Sequence, residues 1–512
     1  MTGMSCIQKF PLFLLVACLV YFPAFKNDHV IDDGAQIGDN RDLDTRSIGW
    51  LFNSDYFEIS KDLTYRPVDA FSHWLDRRSG PAAGHAANVV LHASVSASLY
   101  ALGLRFLPAP AAFCGALIFL VHPASCEAVY VITYRENLLC ALFLLWSILA
   151  AHSDRRFLAG LSFLLAVFSK ETAAMLPVLL VAPAFLPEFK NFRRSLMVFL
   201  AVDLFYAFVR FVLLPGPGLF AGERHIPWVV EQGTIFTGYL KLLLFPARLS
   251  IDHKIPPAPA LIEILPGLAA VTALSIHSAY RWAQKSAASI WWAWFLAFMI
   301  PVMGIIPIAN VSAERYLYVP LLLPALGCGL AIHRISRTVP RFLLIFLLVI
   351  PLAARTHIRG YDFRSAWTLY PKELSINPAS RMTAWALGRM EDAAGNRKEA
   401  KRLFERVIEL DPLYYPAFID LGYVERDLGD TGRSDRWFEA AYALAPADPE
   451  VLIQLAENRR MKGDSAAAEF FYREAVKYPI HPLGISQNLL DIHRHLQRVY
   501  HVRPHDPQPS GP

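Results

Sequence analysis

The chain has 512 residues, 54% hydrophobic and only 18% charged, with a formal net charge of +5 at pH 7. Charge falls below the ~25% usual in soluble domains and is sparse before residue 355 and dense after it, which excludes an ordinary soluble enzyme. No basic run interleaved with aromatics is present, so nucleic acid is not an expected partner; the expectation is an all-α chain, a polytopic membrane domain over 1–356 followed by a soluble helical domain.

In chain order, the first apolar segment is PLFLLVACLVYFPAF, with Lys9 ahead of it. No small-residue cleavage site follows, so a retained membrane helix is expected rather than a signal peptide. Apolar segments near the ~20 residues a bilayer needs lie at 8–25, 87–106, 107–122, 127–151, 156–169 and 172–188. They continue at 195–214, 234–248, 260–280, 288–308, 316–333 and 341–356. Basic links occur at Arg105, at Arg155 and Arg156, at Lys190, Arg193 and Arg194, at Arg281 and Lys285, and at Arg334, Arg337 and Arg341. If all of these are cytoplasmic, the chain alternates only when 234–248 is re-entrant or interfacial. About eleven spans remain. The loop 26–84 and the C-terminal domain then face the non-cytoplasmic side. Cys6, Cys18, Cys114, Cys126, Cys140 and Cys328 all lie in or beside apolar segments and read as small core residues.

Links on that opposite face carry charge against the positive-inside pattern: Arg66, Arg135 with Glu136, Lys170 with Glu171, Arg210, and Glu314 with Arg315. Ionisable groups at such depths line a substrate path or a water-filled cavity, and together they indicate one shared site rather than separate ion pairs. Asp32 and Asp33 follow the first span on the same face. His85, Asn88 and His92 share a helical face, but with no third ligand at suitable spacing they are expected to hydrogen-bond between helices rather than bind metal. His122 before Pro123 reads as structural rather than as a zinc ligand, and no metal site is expected.

After residue 355, Pro378, Pro412 and Pro446 recur every 34 residues, with Gly395, Gly429 and Gly463, and Phe404, Phe438 and Tyr472 in the same register. This is the tetratricopeptide period. It predicts an α-solenoid over 357–480, with repeats at 381–414, 415–448 and 449–480 and a half repeat near Trp367. A terminal helix and a disordered Pro-rich tail are expected over 481–512. Stacked repeats leave a concave surface suited to extended polypeptide.

The strings VIDDGAQIGDN, LTYRPVDAFSHWL, HAANVVLH, HPASCEAVYVITYRENLL, FSKETA, LLLFPARLSIDH and AERYLYVP, followed by the repeats, carry a family resemblance. In that order they resemble the transmembrane-and-TPR-containing O-mannosyltransferases (TMTC) and their bacterial relatives, within the GT-C fold of lipid-phosphosugar-dependent glycosyltransferases. Departures are Ile31 where an aromatic is usual, Ser125 in place of a second His, and YRENLL in place of the more usual GRxELL. The resemblance implies transfer of one sugar, expected to be mannose, from polyprenyl phosphate to a Ser or Thr hydroxyl of a polypeptide, with inversion and no further cofactor. It implies that the Asp32/Asp33 pair holds the catalytic base, without ranking the two. Mutual repulsion of the tandem carboxylates would raise one pKa, which suits a base. The cations expected at the donor phosphate are Arg315, Arg210 and Lys170, then Arg135 and Arg66. Glu127, Glu136, Glu171, Glu314, His122 and Tyr316 are expected to orient those cations or meet the sugar. The implied location is a bacterial inner membrane with site and repeats in the periplasm, or the endoplasmic reticulum lumen in a eukaryote. Two readings from other classes stay open: a transporter or flippase for a lipid-linked sugar, and a membrane-anchored TPR scaffold.

Overall fold

A computed structural model describes residues 2–40, 42–53, 56–60, 64–181, 190–214, 227–253, 255, 258–284, 286, 290–303, 312–336, 338–478 and 487–500. Every regular element among the described residues is helical. Lys285, Arg337 and the tail from 501 lie outside them, as do the ends of the 172–188 and 288–308 segments. The chain divides into two compact units, Met1–Leu369 and Tyr370–Pro512.

Among the described residues of the first unit, five helices are long and apolar enough to cross a bilayer: Pro81–Gly103, Ile132–His152, Asn191–Leu213, Leu261–Ala283 and Thr338–Asp362. Ala109–Val121 and Pro123–Tyr130 make a sixth span if this pair, bent by 55°, is taken as one. The bend has a local cause. Pro123 supplies no backbone N–H, and the His122 ring accepts the Ala124 N–H at 3.1 Å in its place. Shorter apolar helices lie at Gln8–Val20, Arg156–Ser169, Glu171–Leu180, Ile290–Val302 and Leu322–His333. Thr338–Asp362 exposes Phe342, Phe346, Leu347 and Ile350 along its length, an apolar face of the kind lipid rather than water covers. The chain is thus a membrane protein.

Two helix pairs approach to backbone contact. A Cβ on Gly329 would lie 2.3 Å from the Ala111 carbonyl oxygen, and one on Gly267 would lie 2.2 Å from the Gly233 carbonyl oxygen. Small residues allow this approach, and close packing replaces the hydrophobic drive that lipid removes. The segment expected at 234–248 is part of the helix Trp228–Leu244, 17 residues long, with Glu231 and Gln232 buried near its start.

The second unit contains three consecutive helix pairs within the expected 34-residue intervals. They are Arg381–Ala393 with Arg397–Leu410, Tyr415–Asp427 with Thr431–Leu444, and Pro449–Met461 with Ser465–Ala475. Each pair turns on a glycine of positive φ: Gly395 at 85°, Gly429 at 86° and Gly463 at 80°. Within the pairs, Phe404 packs on Gly388 and Phe438 on Gly422, where a Cβ would come within 2.7 and 2.6 Å of the rings. Gln487–Val499 closes the array by burying Leu489 and Leu496 against Leu452, Ile453 and Val476.

Candidate active site

The candidate site is built at breaks between helices. After the first helix, Ile31 adopts φ 55°, an unusual conformation for a β-branched residue, and a π-helical turn follows at Gly34–Gly38. Extended residues at Val131 and Lys170 interrupt two further helical runs, and a short 3-10 turn spans Glu314–Leu317. Each break lifts charged side chains off a helix axis into a common space.

The strained turn separates the two aspartates. Asp33 is fully buried. Its Oδ1 accepts from the Thr133 N–H and hydroxyl, both at 2.8 Å, and its Oδ2 from the N–H groups of Val30 at 3.3 Å and Ile132 at 3.2 Å. That carboxylate is saturated by structural bonds. Asp32 is exposed and accepts one hydrogen bond, from the Tyr134 hydroxyl at 3.2 Å. Enclosure by surrounding protein pushes the Asp32 carboxyl above its usual value, while the nearby Arg315 charge and the Tyr134 bond pull it down. Burial raises Asp33 too, against its four hydrogen bonds. Repulsion between the tandem carboxylates, the cause anticipated from their adjacency, is not what raises them. Low-dielectric surroundings are.

From Asp32 a chain of contacts leads through the expected cations. The Arg315 guanidinium lies 4.2 Å from the Tyr134 ring centre and 5.1 Å from that of Tyr316. It pairs with the buried Glu127, which also accepts the Arg315 N–H at 2.9 Å. Lys170 lies 5.8 Å from the Tyr316 ring centre and donates to Glu136 at 2.8 Å and to Asn137 at 2.7 Å. Arg66 pairs with Glu136 and grips Glu171 with two bonds, at 2.9 and 2.7 Å. The cations Arg315, Lys170 and Arg66 thus face the carboxylates of Glu127, Glu136 and Glu171. The group is near neutrality before Asp32 is counted, so an anion here would be held by directed N–H bonds more than by surplus charge. Arg315 is best placed for that, because Glu127 engages one edge of its guanidinium.

Other expected residues are placed elsewhere. Arg135 is buried, bonds Asn88 at 2.7 Å and the Gly84 carbonyl at 3.0 Å, and forms an ion pair with Asp76 at 2.5 Å, so it ties the helix Pro67–Asp76 to the bundle. Arg210 is buried in the π-helical stretch Val209–Leu213, over the rings of Phe57 and Phe211. Glu314 turns away from Arg315, accepting from the Ser250 N–H at 2.6 Å and contacting His253 at 3.3 Å. His122 is the cap at the bend, and its second nitrogen meets the Leu243 carbonyl at 3.3 Å. His92 contacts Tyr318 at 2.7 Å and the Leu120 carbonyl at 3.0 Å, and Asn88 donates to Val129 and Val131, the interhelical role expected of that face. Sequence reading missed Thr133, Tyr134 and Asn137 as individual residues. All lie inside the string YVITYRENLL, which was the available signal.

No family model matches the chain. A Caenorhabditis elegans protein O-mannosyl-transferase is 24% identical over 446 residues, covering 80% of this chain and 63% of its own length. The human protein O-mannosyl-transferase TMTC4 is 30% identical over 158 residues, 26% of this chain and 21% of that protein. Mouse TMTC3, of the same description, is 29% identical over 152 residues, 28% of this chain and 16% of its own. The chain therefore spans less than two thirds of the length of these relatives. Among solved structures, the Yersinia enterocolitica type III secretion translocator chaperone SycD aligns over 25% of this chain and 93% of its own at 16% identity, with a TM-score of 0.21, too low to carry an argument. The curated homologues of this chain are TMTC-type protein O-mannosyl-transferases, the relatives that its ordered motifs resemble.

Proposed function

We propose that this chain is a GT-C type membrane mannosyltransferase that moves one sugar from polyprenyl phosphate to a Ser or Thr hydroxyl on the non-cytoplasmic side. The observation that carries this reading is the division of labour between the aspartates: Asp33 is consumed by four structural bonds, while Asp32 is open and stands beside Arg315. The names of the curated homologues support mannosyl transfer to protein.

In the proposed reaction the acceptor oxygen attacks the anomeric carbon from one face as the bond to the phosphate oxygen breaks on the other. Asp32 takes the hydroxyl proton, and polyprenyl phosphate leaves with the bonding electron pair and is met by Arg315 and Lys170. One displacement inverts the anomeric centre. The lipid-linked sugar arrives activated, so no nucleotide or metal is called for. The helices Arg381–Ala393 through Ser465–Ala475 would be tetratricopeptide repeats presenting the acceptor polypeptide, and about eleven spans would place them on the same side as the site. The test is comparative glycoproteomics of cells with the chain, without it, and with Asp32→Asn. Loss of hexosyl-Ser/Thr peptides in the last two supports the reading, and an unchanged glycopeptide set in all three refutes it.

A further inference from the structure

A small recess is lined by Gln36, Trp50, Ser60, Asp69 and His73 among others. Asp69 stands in the first turn of Pro67–Asp76 and His73 one turn later, with a His73 Nε2 to Asp69 Oδ2 contact of 3.0 Å. That contact leaves Asp69 Oδ1 and His73 Nδ1 without a hydrogen-bond partner, and Trp50 Nε1 likewise has none. The three residues are only 4%, 4% and 3% exposed. A buried polar atom left unpaired is destabilising, and native structures rarely leave several together.

The chemistry of the three atoms narrows what fills the recess. In the neutral tautomer that gives Nε2–H to Asp69, His73 Nδ1 is a bare acceptor, Asp69 Oδ1 is a second acceptor, and Trp50 offers one N–H. A carboxylate or phosphate would be repelled by Asp69, and an ammonium would oppose the indole N–H. A hydroxyl, with one proton to give and lone pairs to receive, satisfies both kinds of atom. The recess volume of about 10 Å³ admits one water-sized group and no more.

The recess lies one turn along the chain from Asp32: Gln36 lines it, and the Gln36 N–H bonds the Asp32 carbonyl at 2.9 Å. We propose that the Asp69–His73–Trp50 recess is a substrate subsite that receives a single hydroxyl, distinct from the one that reacts, and so registers the substrate against Asp32. This inference rests on the transfer reaction proposed above. The hydroxyl belongs either to the donor sugar or to a neighbouring residue of the acceptor chain.

The test uses the purified full-length protein with polyprenyl-phosphate mannose, its monodeoxy analogues, and acceptor peptides in which flanking Ser or Thr are changed one by one to Ala. Trp50→Phe removes the N–H together with the five-membered ring that carries it and keeps an aromatic ring in place, and Asp69→Asn is isosteric; melting temperatures show whether each is folded, and either variant alone suffices if the other is not. On the wild type, one analogue loses about 10- to 100-fold in kcat/KM, the value of a hydrogen bond to a charged group. The variants lose activity on the parent substrate and little more on that analogue. A deoxy-donor hit assigns the hydroxyl to the sugar, and a peptide hit assigns it to the acceptor. Equal losses for every analogue in wild type and variants mean that the recess holds water only, and overturn the subsite alone. No turnover of the parent substrate by wild type overturns the transfer reading and the subsite with it.

Discussion

Exchanging each aspartate for asparagine separates the roles assigned to Asp32 and Asp33. Asp33 accepts two bonds on each oxygen, and every donor is an N–H or O–H of the protein. In Asp33→Asn one oxygen becomes an NH2 that faces two donors. Two bonds to a charged group are lost, at about 1.5–3 kcal/mol each, for a total of about 3–6 kcal/mol. Asp32→Asn removes at most the weak 3.2 Å bond from Tyr134, a stability change of about 1 kcal/mol or less. Its effect falls on chemistry, where loss of a general base costs about 10²–10⁴ in rate. The assays are thermal unfolding in nanodiscs and mannosyl transfer to a Ser/Thr peptide. The expected outcome is a stable, inactive Asp32 variant and a destabilised Asp33 variant that retains activity per folded molecule at low temperature. A stable, inactive Asp33→Asn beside an active Asp32→Asn would refute the assignment.

The raised Asp32 pKa predicts that kcat/KM climbs with pH through an acid limb above the ordinary aspartate value of ~3.9. Tyr134→Phe and Arg315→Gln each remove an influence that favours the carboxylate, so both should shift that limb to higher pH; a downward shift would contradict the geometry. Arg315→Gln should also leave Glu127 buried without its cation, costing about 3–5 kcal/mol, and adding Glu127→Gln should restore much of that in the unfolding assay. In the second unit, burial raises the Glu450 carboxyl to about 7. A folded-state pKa above the unfolded one means stabilisation that is present at low pH and lost as pH rises through about 7. Hydrogen exchange in Tyr415–Asp427 and Pro449–Met461, corrected for intrinsic rates, should therefore lose protection from pH 6 to 8, and Glu450→Gln should flatten the trend. Gly422→Ala places a Cβ 2.6 Å from the Phe438 ring and should destabilise by about 1–3 kcal/mol, read as a lower melting temperature.

The helical class, the change of character near residue 355 and the 34-residue period could be read from the chain, because hydropathy and repeat spacing are local properties that burial must respect. Many of the charged groups that cluster in the candidate site could be picked out as well. Asp32, Arg66, Glu127, Glu136, Lys170, Glu171, Arg315 and Tyr316 stood out as ionisable or aromatic groups in apolar surroundings, and the fold joins them. Sequence alone could not rank Asp32 over Asp33, because two identical side chains differ only in which one the Ile31 turn buries. Nor could it tell that Arg135 braces helices while Arg315 faces the candidate site. A guanidinium's role is fixed by the partners that reach it, and Asn88, Gly84 and Asp76 reach Arg135 from far along the chain. Composition and period therefore decided which elements form. Only tertiary packing decided which charges are spent on structure and which remain for chemistry, because desolvation and hydrogen-bond partners exist only once distant segments meet.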